Sequence, residues 1–585
     1  MRGFKLGNFE QKLDFYADDL TAYLDGSKSS LTGIINILDR FRDISGLKIN
    51  LSKCKAVWIG KNRFLNIKLC EEYKLIWTDR FRLLGVDFDS DLAHMDTNFK
   101  TKIEDIEKLF KSWLFRHLTP LGKVTVVKSM ALSKLSHLVL VCPHLETENL
   151  LKLKNMIYKF LWNNKPDRMK RCYTMLPSHK GGLNLPDLEA FWASLKMSWS
   201  RRLMAPSCLW QKILELNLLY INHSMQDIWA GGPKMLNIIA SKLSNSFWKE
   251  ILCIFASIMG ELHFAKPYYF FNCNIFDNDF FSINGTELKS SDFHTLWKNR
   301  ICQVGDFFDC NKSPPELLSL DQINRKYSIN LNFLNFHRIK EVIKEATKNL
   351  NYKIFEEDLS DTKSPKLPLI HKLSCLQTKG CRIFYETLKT REWTECSTAD
   401  SESKWHTELG TNFSVIFWDN IWRMQKSAIC SNRMKWVNLQ ILRFILPTNY
   451  SVNKYKPNQD PRCSFCLNHL ERLPDLIWSC PVVRDLWTMV GNILKCYFPD
   501  FDLGRKEAIF GDSNSRGNSV INTMLLLAKQ FIWTQKFGSN DLSELHYILF
   551  MCKELNFLIK IMQFRGEKEK FQSEWVEILQ HFEIH

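Results

Sequence analysis

The sequence predicts an α+β protein in which a short strand-containing region precedes a long, mostly helical remainder. Near the start of the chain, two strand-like runs, residues 11–17 and 20–24, flank the acidic pair Asp18 and Asp19. From about Asn98 onward, apolar residues instead recur every three or four positions, which is the periodicity of amphipathic helices. These two observations predict the fold class.

The acidic pair is predicted to lie at the tip of a β-hairpin, because Asp is a poor strand residue and a good turn residue. Hard cations such as Mg²⁺ take oxygen ligands, and two-metal phosphoryl transfer needs carboxylates on a rigid support. Asp18 and Asp19 are therefore the candidate catalytic and magnesium-binding residues. The alternative is a polar turn between two strands, which is the commoner origin of an isolated acid pair.

The segments after the hairpin favour the catalytic interpretation. An amphipathic helix is predicted over Ser30–Ile44, and Ser45-Gly46 ends it. A polar segment, Leu47–Lys55, precedes a predicted strand, Ala56–Gly60, and a further strand is predicted over Phe81–Phe88. Residues 1–90 therefore have the element order of an α/β domain.

This order resembles the palm of a LINE-type (non-LTR) retrotransposon reverse transcriptase. Residues 15–19 (FYADD) are similar to the F/Y-A-D-D motif of that family, residues 45–53 (SGLKINLSK) to the next palm motif, and residues 83–86 (LLGV) to the primer-grip strand. The resemblance implies a βαβ-type palm with an acid hairpin, an RNA-directed DNA polymerase activity, Mg²⁺ held by Asp18 and Asp19, and an RNA template and a DNA primer as partners.

The resemblance also implies parts that this sequence lacks. The family takes another Asp from an earlier palm strand, since one hairpin cannot surround two cations, and it positions the nucleotide with a fingers domain. Met1 lies only a few residues before the hairpin, so we expect a 5′-truncated palm remnant that is inactive as a polymerase. Asp14 shares a strand with the hairpin acids, and Asp87 and Asp89 lie on the predicted primer-grip strand, so none of the three is expected to complete the site. Without the earlier strands, the sheet is expected to have an exposed edge and an uncovered face.

Composition indicates a basic globular protein. The 585 residues are 45% hydrophobic and 24% charged, which suits a sizeable core, and the net charge of +16 favours a polyanion partner such as nucleic acid. The 18 cysteines lie mostly as singles, which indicates free thiols in a reducing compartment. No apolar signal core follows Met1, and the longest apolar stretches, such as Leu138–Cys142, are far shorter than a membrane span. We therefore expect a soluble intracellular protein without a membrane partner.

Residues 97–205 are predicted to form a basic helical domain. This range contains 19 Lys and Arg residues against 8 Asp and Glu residues. Its densest charge lies near three aromatic residues, an arrangement that suits phosphate contact with base stacking; the basic residues are Lys165, Arg168, Lys170 and Arg171, and the aromatic ones Tyr158, Trp162 and Tyr173. By resemblance, this domain is the thumb that grips the template–primer duplex, and residues 160–163 (FLWN) with 181–186 (GGLNLP) are similar to a signature of that family. The alternative is a helical bundle with a solvated basic face.

The rest of the chain is predicted to be mostly helical. Residues 206–410 form a poorly defined connection, in which 268–281 is irregular or β-rich and the polar stretches 358–366 and 394–404 are candidate linkers. Residues 411–585 form a helical C-terminal region, with a buried stripe at Trp436, Leu439, Leu442 and Leu446.

A cysteine cluster in residues 463–487 predicts a zinc site. Cys463 and Cys466 form the only C-x-x-C in the sequence, and Cys480 follows, so three thiolates are available for one tetrahedral Zn²⁺. His469 and Asp475 are the two candidates for the fourth ligand. The stretch resembles the zinc-binding segment after the LINE-type reverse transcriptase, where a His stands at the position of Asp475. The alternative is three unligated thiols.

The sequence as a whole predicts the C-terminal part of a LINE-type reverse transcriptase, with Mg²⁺ implied by resemblance and Zn²⁺ by the cysteines. Two alternatives stay open: a non-enzymatic nucleic-acid-binding protein, and a decayed open reading frame without a selected function.

Overall fold

A computed structural model describes most of the chain. The described residues are 1–7, 9–17, 19–143, 146–203, 209–259, 270–271, 273–278, 280–309, 312, 315–348, 381–393, 399–427, 430–512, 518–539 and 541–584. The predicted linker 358–366 and Asp18 lie outside these ranges. The second predicted linker, 394–404, is described only from residue 399 onward, and residues 399–404 are helical.

Helices make up most of the described structure, which confirms a mostly helical α+β protein. The helices are Lys28–Ser45, Thr97–Leu114, Pro120–Val126, Leu132–Val141, Thr147–Leu161, Arg171–Met175, Leu188–Met197, Trp199–Arg202, Leu209–Tyr220, Met225–Ala230, Pro233–Lys242, Ser246–Met259, His294–Lys298, Leu320–Tyr327, Phe333–Lys348, Arg382–Trp393, Ala399–Leu409, Val415–Ser427, Asn432–Leu442, Asn449–Asn453, Pro481–Tyr497, Arg505–Phe510, Asn518–Gln535, Glu544–Arg565 and Lys568–His581. A π-helical turn, Val127–Ala131, joins the third helix to the fourth, and another, Asp475–Ser479, precedes Pro481.

The strands are short and lie in two-stranded sheets. The pairs are Phe4–Leu6 with Phe9–Gln11, Leu13–Tyr16 with Asp19–Ala22, Lys55–Ala56 with Ile76–Trp77, Arg80–Leu83 with Val86–Asp89, Ser282–Ile283 with Thr286–Glu287, and Phe308–Asp309 with Glu316–Leu317. The pair Lys55–Ala56 with Ile76–Trp77 is parallel, and the other five are antiparallel.

The helix after the acid hairpin forms where the sequence predicts it. Ser27 is its N-cap, and its side chain accepts a hydrogen bond from the backbone N–H of Ser30. Gly46 ends the helix in the left-handed conformation with φ of 73°, which glycine adopts without steric strain. The predicted end at Gly46 is confirmed, and the helix begins two residues before the predicted start because Ser27 caps it.

Two predicted strands differ from the structure. The strand predicted over Ala56–Gly60 is limited to Lys55–Ala56. Phe81–Phe88, predicted as one strand, is instead a hairpin, because Leu84 and Gly85 both have positive φ and form a two-residue turn.

The first 90 residues leave many apolar side chains exposed, on the acid hairpin, on the helix Lys28–Ser45 and in the segments after it. The exposed residues include Phe15, Tyr16, Ile37, Phe41, Ile44, Leu47, Ile59, Phe64 and Ile67. Each sheet in this region has only two strands, so each strand has one edge without a backbone partner in its sheet.

The chain divides into two compact units, each assembled from three stretches of sequence. The first unit comprises residues 1–104, 134–150 and 188–389, and the second comprises 105–133, 151–187 and 390–585. The predicted thumb, 97–205, contributes to both units, so its independence as a domain stays a prediction.

The first unit contains two apolar cores within the region predicted as a poorly defined connection. One core packs Leu214, Leu218, Ile239 and Leu252 with neighbouring residues between 197 and 258 and with Phe384. The other packs residues 270–346, with Phe276, Phe281, Val304, Phe307 and Ile323 fully buried.

In the second unit, the predicted stripe is confirmed, since Trp436, Leu439, Leu442 and Leu446 are all buried.

One helical stretch, residues 120–141, is long and apolar enough to cross a membrane by length and composition. This corrects the expectation that every apolar stretch falls short of a membrane span. Its side chains Val127, Ala131 and Leu135 are fully buried in the protein, which is compatible with a core helix of a soluble protein.

Candidate functional site

The strands on either side of the predicted acidic tip form a β-hairpin, as predicted. Leu13–Tyr16 and Asp19–Ala22 pair antiparallel, with Tyr16 opposite Asp19. Ala17, which follows the first strand, has a positive φ of 51°, a conformation typical of tight hairpin turns. Asp19 begins the second strand and is exposed, whereas Asp18 lies outside the described residues.

The described residues bring no group of three metal-ligating side chains together around Asp19. Among them, two groups of three metal-ligating side chains come together, and Asp19 belongs to neither group. Asp14 is engaged elsewhere, because its Oδ1 accepts a hydrogen bond of 2.6 Å from the side-chain amide of Gln11. Burial, together with the neighbouring Asp14 carboxylate, raises the pKa of Tyr23 to about 12. Magnesium binding by Asp18 and Asp19 therefore stays a prediction.

The three cysteines of the predicted zinc site do come together. Cys463 and Cys466 lie in a tight loop, which an isolated antiparallel bridge closes between Arg462 and Leu470. The backbone N–H of Cys463 donates a hydrogen bond of 2.7 Å to the carbonyl of His469. Cys480 lies at the N-cap of the helix Pro481–Tyr497.

The sulfur geometry fits a tetrahedral metal ion. The three Sγ atoms lie within 4.8 Å of one another, and those of Cys463 and Cys480 are 3.7 Å apart. Two sulfurs bound to one Zn²⁺ at about 2.3 Å with tetrahedral angles stand about 3.8 Å apart. Cys463 and Cys480 therefore have the separation of two ligands of such an ion, and the sulfur of Cys466 lies within 4.8 Å of both.

The surroundings of Cys463 favour its thiolate. The hydrogen bond between the sulfurs of Cys463 and Cys480, with support from the backbone N–H groups of Cys466 and Phe465, lowers the pKa of Cys463. The same hydrogen bond raises the pKa of Cys480, which keeps its proton. A thiolate is the form of cysteine that binds metal ions.

The structure leaves the fourth ligand open. Neither His469 nor Asp475 belongs to the described group of ligand atoms within 4.8 Å. The His469 side chain is exposed, and Asp475 is half-buried at the start of the π-helical turn. Both residues contribute backbone carbonyls to the local fold, since Cys463 donates to His469 and Cys480 donates to Asp475.

The structure contains a buried ion pair beside the cysteines that was not predicted from the sequence. The carboxylate of Glu471 forms an ion pair with the ammonium of Lys536, and both side chains are almost completely buried. Glu471 also accepts hydrogen bonds from the backbone N–H groups of Asn449 and Ser464. Burial lowers the pKa of Lys536, and the pairing with Glu471 acts in the opposite direction. The two residues are 65 positions apart, so local sequence patterns do not indicate that they form a pair.

The four predicted nucleic-acid-binding residues are all exposed, but two of them are ion-paired. Lys170 contacts Asp400 at 2.6 Å, and Arg171 contacts Asp167 at 2.8 Å. For Lys165 and Arg168, the described part of the chain shows no ion-pair partner.

The aromatic residues near these charges do not offer stacking surfaces for bases, which corrects the prediction. Tyr158, Trp162 and Tyr173 are buried. Tyr158 forms a 3.1 Å hydrogen bond with the hydroxyl of Thr174, and the ring of Trp162 packs against that of Trp436. Their apolar area is used in the core of the second unit, where its removal from water is most favourable.

The Gly181-Gly182 pair has a packing role. A Cβ on Gly182 would lie 2.0 Å from the carbonyl oxygen of Leu176, and one on Gly181 would meet Arg443 and Trp422 at 2.8 Å. The buried guanidinium of Arg443 donates to the carbonyls of Gly181 and Lys180. This part of the family-like signature is therefore explained by close approach within the second unit.

A second group of metal-type ligands, Asp89, Asp91 and His94, was not predicted as a site. Asp89 accepts a hydrogen bond from the backbone N–H of His94 and contacts its Nδ1 at 2.8 Å. Burial raises the pKa of Asp89, but the hydrogen bonds from His94 outweigh burial, and the net shift is downward. The sequence pattern D-x-D-x-x-H in residues 89–94 could have indicated this group of metal-type ligands. The bonds close the turn that precedes the helix Thr97–Leu114, which gives the group a structural role.

No protein-family model matches this chain.

Proposed function

We propose that this chain is part of a LINE-type reverse transcriptase and that it binds an RNA template with a DNA primer without polymerising by itself. The observation that carries the proposal is the hairpin formed by Leu13–Tyr16 and Asp19–Ala22, followed by the capped helix Lys28–Ser45. The motifs in residues 15–19, 45–53 and 83–86 occur in the order that the resemblance requires.

The surroundings of Asp19 are the reason to expect no polymerisation. In a two-metal site, carboxylates from more than one strand surround the ions, and bound Mg²⁺ stabilises the charge that develops on the phosphoryl group. Asp19 is exposed, and the described residues bring no group of metal ligands around it. Asp18 and Asp19 would hold Mg²⁺ only with a carboxylate supplied by another strand.

Primer extension on an RNA template tests this proposal. Full-length protein with Mg²⁺ is compared with Asp18→Ala, and binding to a labelled RNA–DNA duplex is measured on the same samples. We expect binding in both proteins and nucleotide incorporation in neither. Incorporation by the parent protein that disappears in Asp18→Ala would show that the catalytic site is complete, and a protein that binds no duplex would contradict the proposal as a whole.

A nucleic-acid-binding protein without any role in reverse transcription is the second candidate. It is favoured by Lys165 and Arg168, which are exposed and carry no ion-pair partner in the described structure. Comparable affinities for single-stranded RNA, duplex DNA and the RNA–DNA hybrid would favour this candidate, whereas a preference for the hybrid favours the reverse transcriptase.

We also propose that Cys463, Cys466 and Cys480 bind a zinc-type metal ion that stabilises the C-terminal region. The proposal is supported by the 3.7 Å separation of the sulfurs of Cys463 and Cys480 and by the sulfur of Cys466 within 4.8 Å of both. Metal binding of this kind contributes directly to folding free energy.

A further inference from the structure

We propose that the metal site of Cys463, Cys466 and Cys480 has three protein ligands and an open fourth position that accepts a ligand from solution. This inference rests on the proposed metal binding by these cysteines. It is independent of the proposed binding of nucleic acid.

The three sulfurs define one side of a tetrahedral site. All three lie within 4.8 Å of one another, which is close to the spacing of sulfurs that share one Zn²⁺. Structural zinc sites are closed by a fourth protein ligand, whereas sites that exchange ligands keep one position open. The identity of the fourth ligand therefore decides what this site can do.

The nearby carboxylate of Glu471 is not available as that ligand. Its Oε1 accepts from the backbone N–H of Asn449 and pairs with Lys536. Its Oε2 accepts from both the backbone N–H and the hydroxyl of Ser464, at 3.0 Å and 2.7 Å. Moving this buried carboxylate to a metal ion would leave several of these buried donors without partners, which is strongly unfavourable.

The ligand atoms of the two candidates from the sequence also lie outside the group of sulfurs. The His469 side chain is exposed to solvent, while its carbonyl is fixed by the N–H of Cys463. The carbonyl of Asp475 is fixed by the N–H of Cys480, and its side chain lies outside the described ligand group.

Burial indicates the side from which a ligand would enter. Cys463 and Cys480 are buried, and Cys466 is only partly buried. The open position is therefore expected on the side of Cys466. Three thiolates around a divalent ion carry a net charge of −1, so a neutral donor such as an imidazole is favoured over another anion.

Cobalt substitution tests the open position, because the visible spectrum of Co²⁺ reports its ligands directly. Full-length protein is titrated with Co²⁺, and imidazole is then added. We expect one equivalent of Co²⁺ with tetrahedral bands and sulfur-to-metal charge transfer, and a saturable change in the visible bands with imidazole. His469→Ala and Asp475→Ala are expected to keep both the starting spectrum and the imidazole response, with cobalt affinity within about twofold of the parent.

Two further variants calibrate the measurement. Cys466→Ser should reduce the charge-transfer intensity and weaken cobalt binding by more than tenfold, since one of three sulfurs is lost. Asp475→His places an imidazole on the segment that ends at Cys480, and it should shift the starting spectrum and abolish the response to added imidazole. Circular dichroism checks that each variant is folded.

The failures of the two proposals are distinguishable. A parent spectrum that does not respond to imidazole but changes in His469→Ala or Asp475→Ala means a closed site with four protein ligands, which overturns the open position and keeps metal binding. A folded protein without cobalt bands overturns metal binding and the open position together.

Discussion

The residues of this chain whose burial is energetically most costly are charged groups in the second unit. Lys529 is fully buried, and its ammonium donates to two neutral acceptors, the side-chain oxygen of Asn438 and the carbonyl of Ile509. Burial lowers the pKa of Lys529 to about 7. Its ordinary pKa is near 10.5, so this side chain links folding to pH.

The pH dependence of stability follows from the sign of this shift. Between about pH 7 and 10.5 the unfolded chain binds a proton at Lys529 and the folded protein does not, so stability increases with pH across this window. Lys529→Met should reduce that slope by up to about 1.4 kcal/mol per pH unit. Urea denaturation at pH 7.5, 8.5 and 9.5 measures the free energy of unfolding and therefore this slope. The exposed Lys495→Met is the control, and a slope that is equal in the two variants would contradict the burial of a neutral amine.

The ion pair of Lys536 and Glu471 represents the opposite situation, in which a buried charge is compensated. Removing one partner leaves the other charge buried and unpaired, which typically costs 3–5 kcal/mol. Lys536→Met should therefore lower the free energy of unfolding by about 3–5 kcal/mol, as measured by urea denaturation at pH 7.

The chain offers a matched exposed pair as the control. Lys495 and Asp502 are 2.9 Å apart but largely solvent-exposed, so Lys495→Met should change stability by less than about 1 kcal/mol. Equal effects of Lys536→Met and Lys495→Met would mean that water reaches the Glu471 carboxylate.

At the scale of elements, the helix Lys28–Ser45 shows that capping of the helix ends and burial of the helix surface are independent of each other. Ser27 and Gly46 fix its ends locally, but only its first half is covered. Ile34 and Ile35 are buried, whereas Phe41 is half-exposed and Ile44 is 86% exposed. An amphipathic helix with an uncovered apolar stripe favours association with other apolar surfaces.

This uncovered stripe predicts self-association of the protein. The double variant Phe41→Lys and Ile44→Lys should lower the fraction of oligomers in sedimentation velocity experiments without loss of thermal stability, because neither side chain is buried. Ile34→Lys is the control and should destabilise the fold, since it places a charge in a buried position. Unchanged oligomerisation in the double variant would show that association arises from another surface.

At the scale of the whole molecule, net charge and its pairing decide how strongly nucleic acid is bound. The net charge of +16 supplies a general attraction for polyanions. Part of the basic cluster is neutralised within the protein, because Lys170 and Arg171 pair with Asp400 and Asp167. Lys165 and Arg168 are therefore expected to contribute most of the phosphate contacts from this cluster.

The salt dependence of binding tests this difference. Lys165→Gln with Arg168→Gln should weaken RNA–DNA binding and reduce the slope of log K against log[salt] by about one for each lost phosphate contact. Lys170→Gln with Arg171→Gln is the matched pair and should have the smaller effect. A larger effect of the second pair, in fluorescence anisotropy titrations at several salt concentrations, would contradict the assignment.

The amino-acid sequence by itself determined the local features of this protein. The mostly helical α+β class, the acid hairpin, the helix that ends at Gly46, and the buried stripe from Trp436 to Leu446 were all predictable. Turn chemistry, capping and side-chain periodicity act over a few residues, so they can be read directly from the sequence. The proximity of Cys463, Cys466 and Cys480 belongs here as well, since only 17 positions separate the first sulfur from the last.

Only the tertiary structure decided which side chains are available. It buried the rings of Tyr158, Trp162 and Tyr173, so the aromatic residues near the basic cluster became core residues. It also paired Lys536 with Glu471 and placed Arg443 on the carbonyl of Gly181, across 65 and 262 positions. Such contacts depend on the packing of segments that are distant in sequence, because burial and the desolvation of charges are properties of the assembled core.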